Sequence, residues 1–143
     1  MKKIIIILAA AVASFSFTMC SSSGNIPVES NWRVESLHSD GNEIAVPADH
    51  DATLAFLKDS KIAGDSGCNK FFGDFKADKN SLSFSNMGST RMMCPEMQFE
   101  NAYMKGLAEV AAYKISGDKL MLLDNSGEII AVLSQIEPVA MEN

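Results

Sequence analysis

The chain has 143 residues, of which 47% are hydrophobic and 21% charged, with 12 Lys and Arg against 18 Asp and Glu. That length fits one domain, and a chain this apolar is no disordered polymer. The net charge of −6 argues against nucleic-acid partners, because binding phosphates needs clustered Lys and Arg.

The first segment reads as an export signal. Lys2 and Lys3 form a positive start, and Ile4 to Ala13 follow as an unbroken apolar run. A bilayer-spanning helix needs about 20 such residues, so this shorter run has signal-peptide length. Cys20, followed by Ser21-Ser22-Ser23-Gly24, resembles the junction of a bacterial lipoprotein, where the cysteine is acylated and becomes the new N-terminus. Phe17 and Met19 stand where the usual lipobox has Leu and a small residue. Cleavage after Ala13 or Ser16, giving a soluble secreted chain, is the alternative. The expected organisation is a leader at 1–19, a flexible tether at 20–28, a folded domain at 29–136 and a tail at 137–143. Losing Lys2 and Lys3 makes the exported chain more acidic still.

The domain opens with strands. Trp32 to Leu37 alternates apolar and polar residues, the period of a half-buried strand. Asp40-Gly41-Asn42 is a turn signal, and Glu43 to Val46 can pair back as a hairpin arm. Thr53 to Leu57, Lys61 to Gly64, Phe71 to Lys76 and Ser81 to Ser85 follow as strands, joined by polar turns. Gly73 interrupts its strand, which usually marks a bulge or a close backbone approach.

The period then changes. Phe99, Tyr103, Leu107 and Val110 recur at helical spacing, with Pro95 suited to a first helical position and Glu96 to the positive end of the dipole. A helix is predicted over Glu96 to Ala111. Ala112 to Ser116, Lys119 to Asp124 and Glu128 to Leu133 complete the chain as strands. Hairpin-length connections dominate, so the sheet should be mainly antiparallel. The expected class is α+β: a strongly curved sheet or small barrel with one helix packed against it or plugging an end.

Four separated elements resemble the META domain, also called the HslJ-like domain, over about residues 29–134. Trp32 opens the first strand. Gly67-Cys68-Asn69 precedes Phe72, Gly73 and Phe75. Thr90, Met92, Met93 and Cys94 precede the helix, with Glu96 after them and Met93 in place of a commoner alanine. Tyr113, Leu120, Leu122 and Gly127 lie in the closing strands. The resemblance implies a bacterial envelope lipoprotein, heat-inducible expression and a link to novobiocin resistance. It implies no agreed catalytic activity and supplies no catalytic residues.

The remaining chemistry is sparse. If Cys20 is acylated, Cys68 and Cys94 remain, and two cysteines in an oxidising compartment tend to pair. Two buried free thiols, or a redox-active thiol near the helix start, are the alternatives. Met87, Met92, Met93, Met97 and Met104 crowd around Cys94; soft sulfur suits Cu(I), but methionine more often fills irregular cores. His38 and His50 lack a second histidine at metal spacing, and Asp49-His50-Asp51 reads as a solvated turn. No cofactor is expected, and no nucleophile or phosphate-loop motif is present. The expected role is a lipid-anchored, non-enzymatic envelope module at the outer membrane, facing the periplasm, with a binding or stress-response function. Its partners would be the membrane, through the lipid, and an envelope protein or ligand of unknown identity. An envelope enzyme is the competing class, favoured by a polar cavity with converging Asp, Asn or Ser. An inhibitor or chaperone-like subunit would instead need an exposed apolar patch or open sheet edge.

Overall fold

A computed structural model describes residues 25–137. The leader, Cys20, the first part of the tether and the residues after 137 lie outside the described residues. Nine strands form one antiparallel sheet: β1 (Ser30–Ser39), β2 (Asn42–Ile44), β3 (Thr53–Phe56), β4 (Lys61–Asp65), β5 (Lys70–Asp78), β6 (Ser81–Ser89), β7 (Ala112–Ser116), β8 (Lys119–Leu123) and β9 (Ile129–Ile136). Among the described residues one α-helix, α1, spans Gln98–Glu109. Because β1 pairs with β9 as well as with β3, eight strands close into a barrel. Strand β2 is a short arm on the far half of β1.

Alternation built the barrel wall as expected. Trp32, Val34, Leu54, Phe56, Ile62, Leu82, Tyr113, Leu120, Leu122 and Leu133 are buried in one continuous core. Ile26 joins them, so the packed body takes up chain ahead of β1. The indole N–H of Trp32 donates to Ser30 Oγ at 2.9 Å, which in turn donates to the Pro27 carbonyl. This relieves the buried N–H that would otherwise go unpaired.

Gly73 marks the bulge that a glycine inside a strand pattern suggests. The β5–β6 register slips between Phe72 and Asp74, and the Met87 sulfur would lie 2.6 Å from a Cβ at Gly73. One position earlier, Phe72 turns outward and covers Gly88 across the strands. Strand β6 runs on to Ser89 through Asn86, whose φ is 51°. Alternation up to Ser85 did not reveal this extension, because the irregular step breaks the period.

Helix α1 buries Phe99, Tyr103 and Leu107, as its stripe predicted. It starts later than expected: Met97 is the N-cap, and Pro95 and Glu96 precede the helix. Attachments of Met92 and Cys94 hold that stretch irregular, as shown below. The helix lies across one end of the barrel. Tyr103 donates its hydroxyl to the carbonyl of Thr53 and meets Phe71 edge-on, while Gly106 sits against Ile130 and Leu37. These partners come from the last part of β1 and the first residues of β3, β5 and β9. At the other end, Ser30 pairs with Phe56 and Asn31 with Ile136, so the chain enters and leaves the body together. Among the described residues no helix is long and apolar enough to cross a membrane.

Two outcomes follow. A Cβ at Gly64 would collide with the Phe71 ring and with the Thr53 carbonyl. Overpacking of this kind costs about 2 kcal/mol, so Gly64→Ala should lower the urea midpoint by that equivalent at unchanged m-value. Second, Glu35 at the β1 bulge carries a carboxyl held below its ordinary value of 4.5 by hydrogen bonds from Lys119 first and Ser134 next. A depressed carboxyl adds stability that is present above the unfolded-state value and is lost as pH falls through the folded one. Thermal melts from about pH 6 to about pH 3 should therefore show a shallower acid loss in Glu35→Gln than in the parent.

Candidate functional site

The Gly67-Cys68-Asn69 element forms the tight connection between β4 and β5. Gly67 has a φ of 89°, a left-handed conformation that glycine adopts without strain. Its N–H is held by Asp65 Oδ1 at 2.8 Å. Cys68 is bonded to Cys94, with the two Cα atoms 6.2 Å apart, inside the range a disulfide spans. The bridge ties the β4–β5 turn to the stretch that leads into α1.

Asn69 is 2% exposed and all of its side-chain capacity is used. Its Oδ1 accepts from Thr90 Oγ1 at 2.9 Å and from the Met92 N–H at 2.7 Å. Its Nδ2 donates to the Met92 carbonyl at 3.0 Å and to Glu100 Oε2 at 3.0 Å. The amide thus imitates a strand edge and extends the β5–β6 ladder past Thr90, using the backbone of Met92 rather than its side chain. Ser66 completes the cluster. Its hydroxyl lies 2.6 Å from Glu100 Oε1 and 2.8 Å from the Asn69 carbonyl, so one proton serves two acceptors.

Glu100 and Ser66 were not singled out from the sequence. A signal existed for Glu100: it stands three residues before Tyr103 and seven before Leu107, on the helix's apolar face. A carboxyl there must find buried donors. It is 5% exposed, and its hydrogen bonds come from neutral groups, Ser66 and Asn69.

A cleft of about 840 Å³ opens over this cluster. Its walls are the end of β2 with the loop to residue 50, the end of β4 with the 66–68 turn and the disulfide, and the segment from Met92 into the first turn of α1. It therefore lies at the helix-covered end of the barrel, opposite the end where the chain enters. Asp49 and His50, read as a solvated turn, are exposed and stand on its rim. Cys68, Cys94 and Met92 also border it, whereas Trp32, Phe72, Gly73 and Thr90 do not. The methionines divide: Met87 and Met104 pack against the core, while Met92 and Met93 are exposed. Among the described residues no group of three or more His, Cys, Asp and Glu side chains converges as a metal site.

A second polar cluster lies outside the barrel. Lys119 Nζ is 2.6 Å from Glu35 Oε2 and 2.5 Å from Ser134 Oγ, and Ser134 also donates to Glu35. The cluster joins β1, β8 and β9 across the wall.

A family model for the META domain matches residues 25–137, and the chain belongs to that family. Among solved structures, an NMR structure of a protein from Burkholderia xenovorans has a TM-score of 0.67 at 24% identity, over 78% of this chain and 84% of that one. A second NMR structure has a TM-score of 0.56 at 23% identity, over 75% and 90% of the two chains. A crystal structure of a DUF4847 family protein from Bacteroides vulgatus ATCC 8482 has a TM-score of 0.53 at 14% identity, over 75% and 92%. At these identities the likeness is one of fold. A comparison with proteins of curated function finds no match.

Replacing Asn69 by Ala removes four hydrogen bonds and leaves the buried Glu100 carboxyl and the part-buried Met92 peptide short of partners. The expected cost is about 3–4 kcal/mol, read from denaturant unfolding. Removing the disulfide through Cys68→Ala with Cys94→Ala should cost about 3 kcal/mol in the chain-entropy model for this loop length. The far-ultraviolet dichroism of the barrel should persist in the double variant.

Proposed function

We propose that this META-domain protein is a lipid-tethered binding module of the cell envelope, acting in envelope stress through the cleft over Asn69. The observation that carries the reading is the cleft itself. Its volume falls in the range of small-molecule sites, and a disulfide and a saturated amide brace its wall. Binding sites profit from such preorganisation, since less conformational freedom is lost when a ligand enters. The disulfide suits an oxidising compartment, which agrees with the leader at 1–19. The polar groups lining the inner wall are bound to one another, an arrangement better suited to holding shape than to moving protons.

The positions of the two barrel ends give this reading a geometry. The described chain begins at the end where Ser30 meets Phe56, and the cleft lies at the other. If Cys20 is acylated, the lipid pulls on the first end and the cleft faces away from the membrane.

Two experiments test the reading. Cells grown with a clickable fatty acid should label the parent chain and leave Cys20→Ser unlabelled; an unlabelled parent removes the tether. A photocrosslinking residue at Ala48, exposed on the cleft wall, should give mass-shifted adducts in intact cells. The same residue at Lys114, exposed on β7, should not. Absence of any adduct specific to position 48 rejects the cleft as a binding site.

A further inference from the structure

We infer that the cleft takes a small cationic amphiphile, an apolar body of drug-like size bearing a protonated amine; the inference rests on the cleft-binding reading above and adds its ligand class. Ile44, Val46, Pro47 and Phe99 supply apolar wall, and Val46 and Phe99 are wholly or partly buried. Around that surface the ionisable side chains are acidic, His50 apart. Asp49 and Glu96 stand exposed on the rim, Asp65 lies beside the turn, and Glu100 lies on the inner wall. Among the described residues no Lys or Arg lines the cleft, and His50 is its one basic side chain.

These carboxyl groups are poorly compensated from within. Asp65 has Lys70 Nζ at 3.4 Å, while among the described residues no Lys or Arg lies within ion-pairing distance of Asp49, Glu96 or Glu100. Field lines from like charges concentrate in a concave, low-dielectric site and raise the local concentration of the opposite charge. An anion entering the same space would lose hydration and meet repulsion. A neutral apolar body would gain the apolar contact and none of the field. The combination of apolar wall and uncompensated carboxyl rim therefore selects a cation with an apolar body.

The probe is dansylcadaverine, whose fluorescent ring system carries a pentylammonium arm. The same fluorophore with a hexanoate arm is the anionic control, and with a plain pentyl arm the neutral one. The protein is the exported full chain with Cys20→Ser, so that membrane lipid does not take up the probe. The ammonium probe should bind saturably and about fivefold tighter than the neutral one, with the hexanoate probe weakest. That preference should shrink as salt rises from about 0.02 to about 0.5 M. Asp49→Asn with Glu96→Gln, both exposed and outside the Asn69 cluster, should bring the ammonium probe to the neutral level without lowering the melting temperature. Ala48→Trp, which fills the cleft, should weaken all three probes.

Equal affinity for the three probes, or preference for hexanoate, overturns the charge assignment; if Ala48→Trp still blocks that binding, the cleft-binding reading stands. No saturable binding of the ammonium probe, or binding that Ala48→Trp leaves untouched, also overturns the inference. The reading beneath it is then judged by the in-cell adducts at position 48.

Discussion

The side chain of Asn69 has two donors and two acceptor sites, and the fold uses every one. It sits where three pieces of chain arrive: the β4–β5 turn, the end of β6 and the first turn of α1. A backbone ladder cannot join them, because the stretch after Thr90 leaves the sheet. The amide supplies the missing rungs to Met92 and spends its last donor on Glu100. Any smaller or apolar side chain would leave the buried Glu100 carboxyl with Ser66 as its one remaining donor and would release the part-buried Met92 peptide, which is costly in a low-dielectric interior. The disulfide adds a covalent constraint one residue away, limiting the unfolded chain rather than adding a folded-state contact.

This attachment decides where the helix begins. A free chain with Pro95 and Glu96 would be expected to turn helical at once. Held at Met92 and Cys94, it must first cross the 65–69 turn, and α1 starts only at Gln98. From there the helix lies across the mouth of the barrel, with Tyr103 reaching the Thr53 carbonyl and Gly106 allowing approach to Ile130. Small barrels fill their interiors with side chains, and here the helix covers the end that strands alone leave open. The cleft is the space beside that cover, between the braced turn and the loop after β2.

Two polar clusters show how similar groups differ in consequence. Glu35, Lys119 and Ser134 form a clasp on the barrel wall, a partly exposed ion pair over a buried serine, and the carboxyl titrates low because a cation donates to it. Glu100 is buried with neutral donors and an acidic surrounding. The first arrangement knits strands β1, β8 and β9 together. The second sets a buried carboxyl, held by Ser66 and Asn69, at the edge of a cavity, and so bears on what can enter it.

By itself the sequence determined the nine strands, the single helix and its buried stripe, since alternation and helical spacing express which faces leave water. The likeness to the META domain was legible for a related reason: Gly67, Cys68, Asn69, Thr90 and Cys94 are residue types with narrow geometric uses. Tertiary structure alone decided that β1 closes onto β9, that β6 outruns its alternating pattern, that α1 starts after Glu96, and that Ser66 and Glu100 complete the cluster. Each of these depends on partners far apart in sequence; Ser66 and Glu100 alone are separated by 34 positions. A pattern of local period carries no information about such pairings, because the burial that rewards them exists only once the barrel has closed.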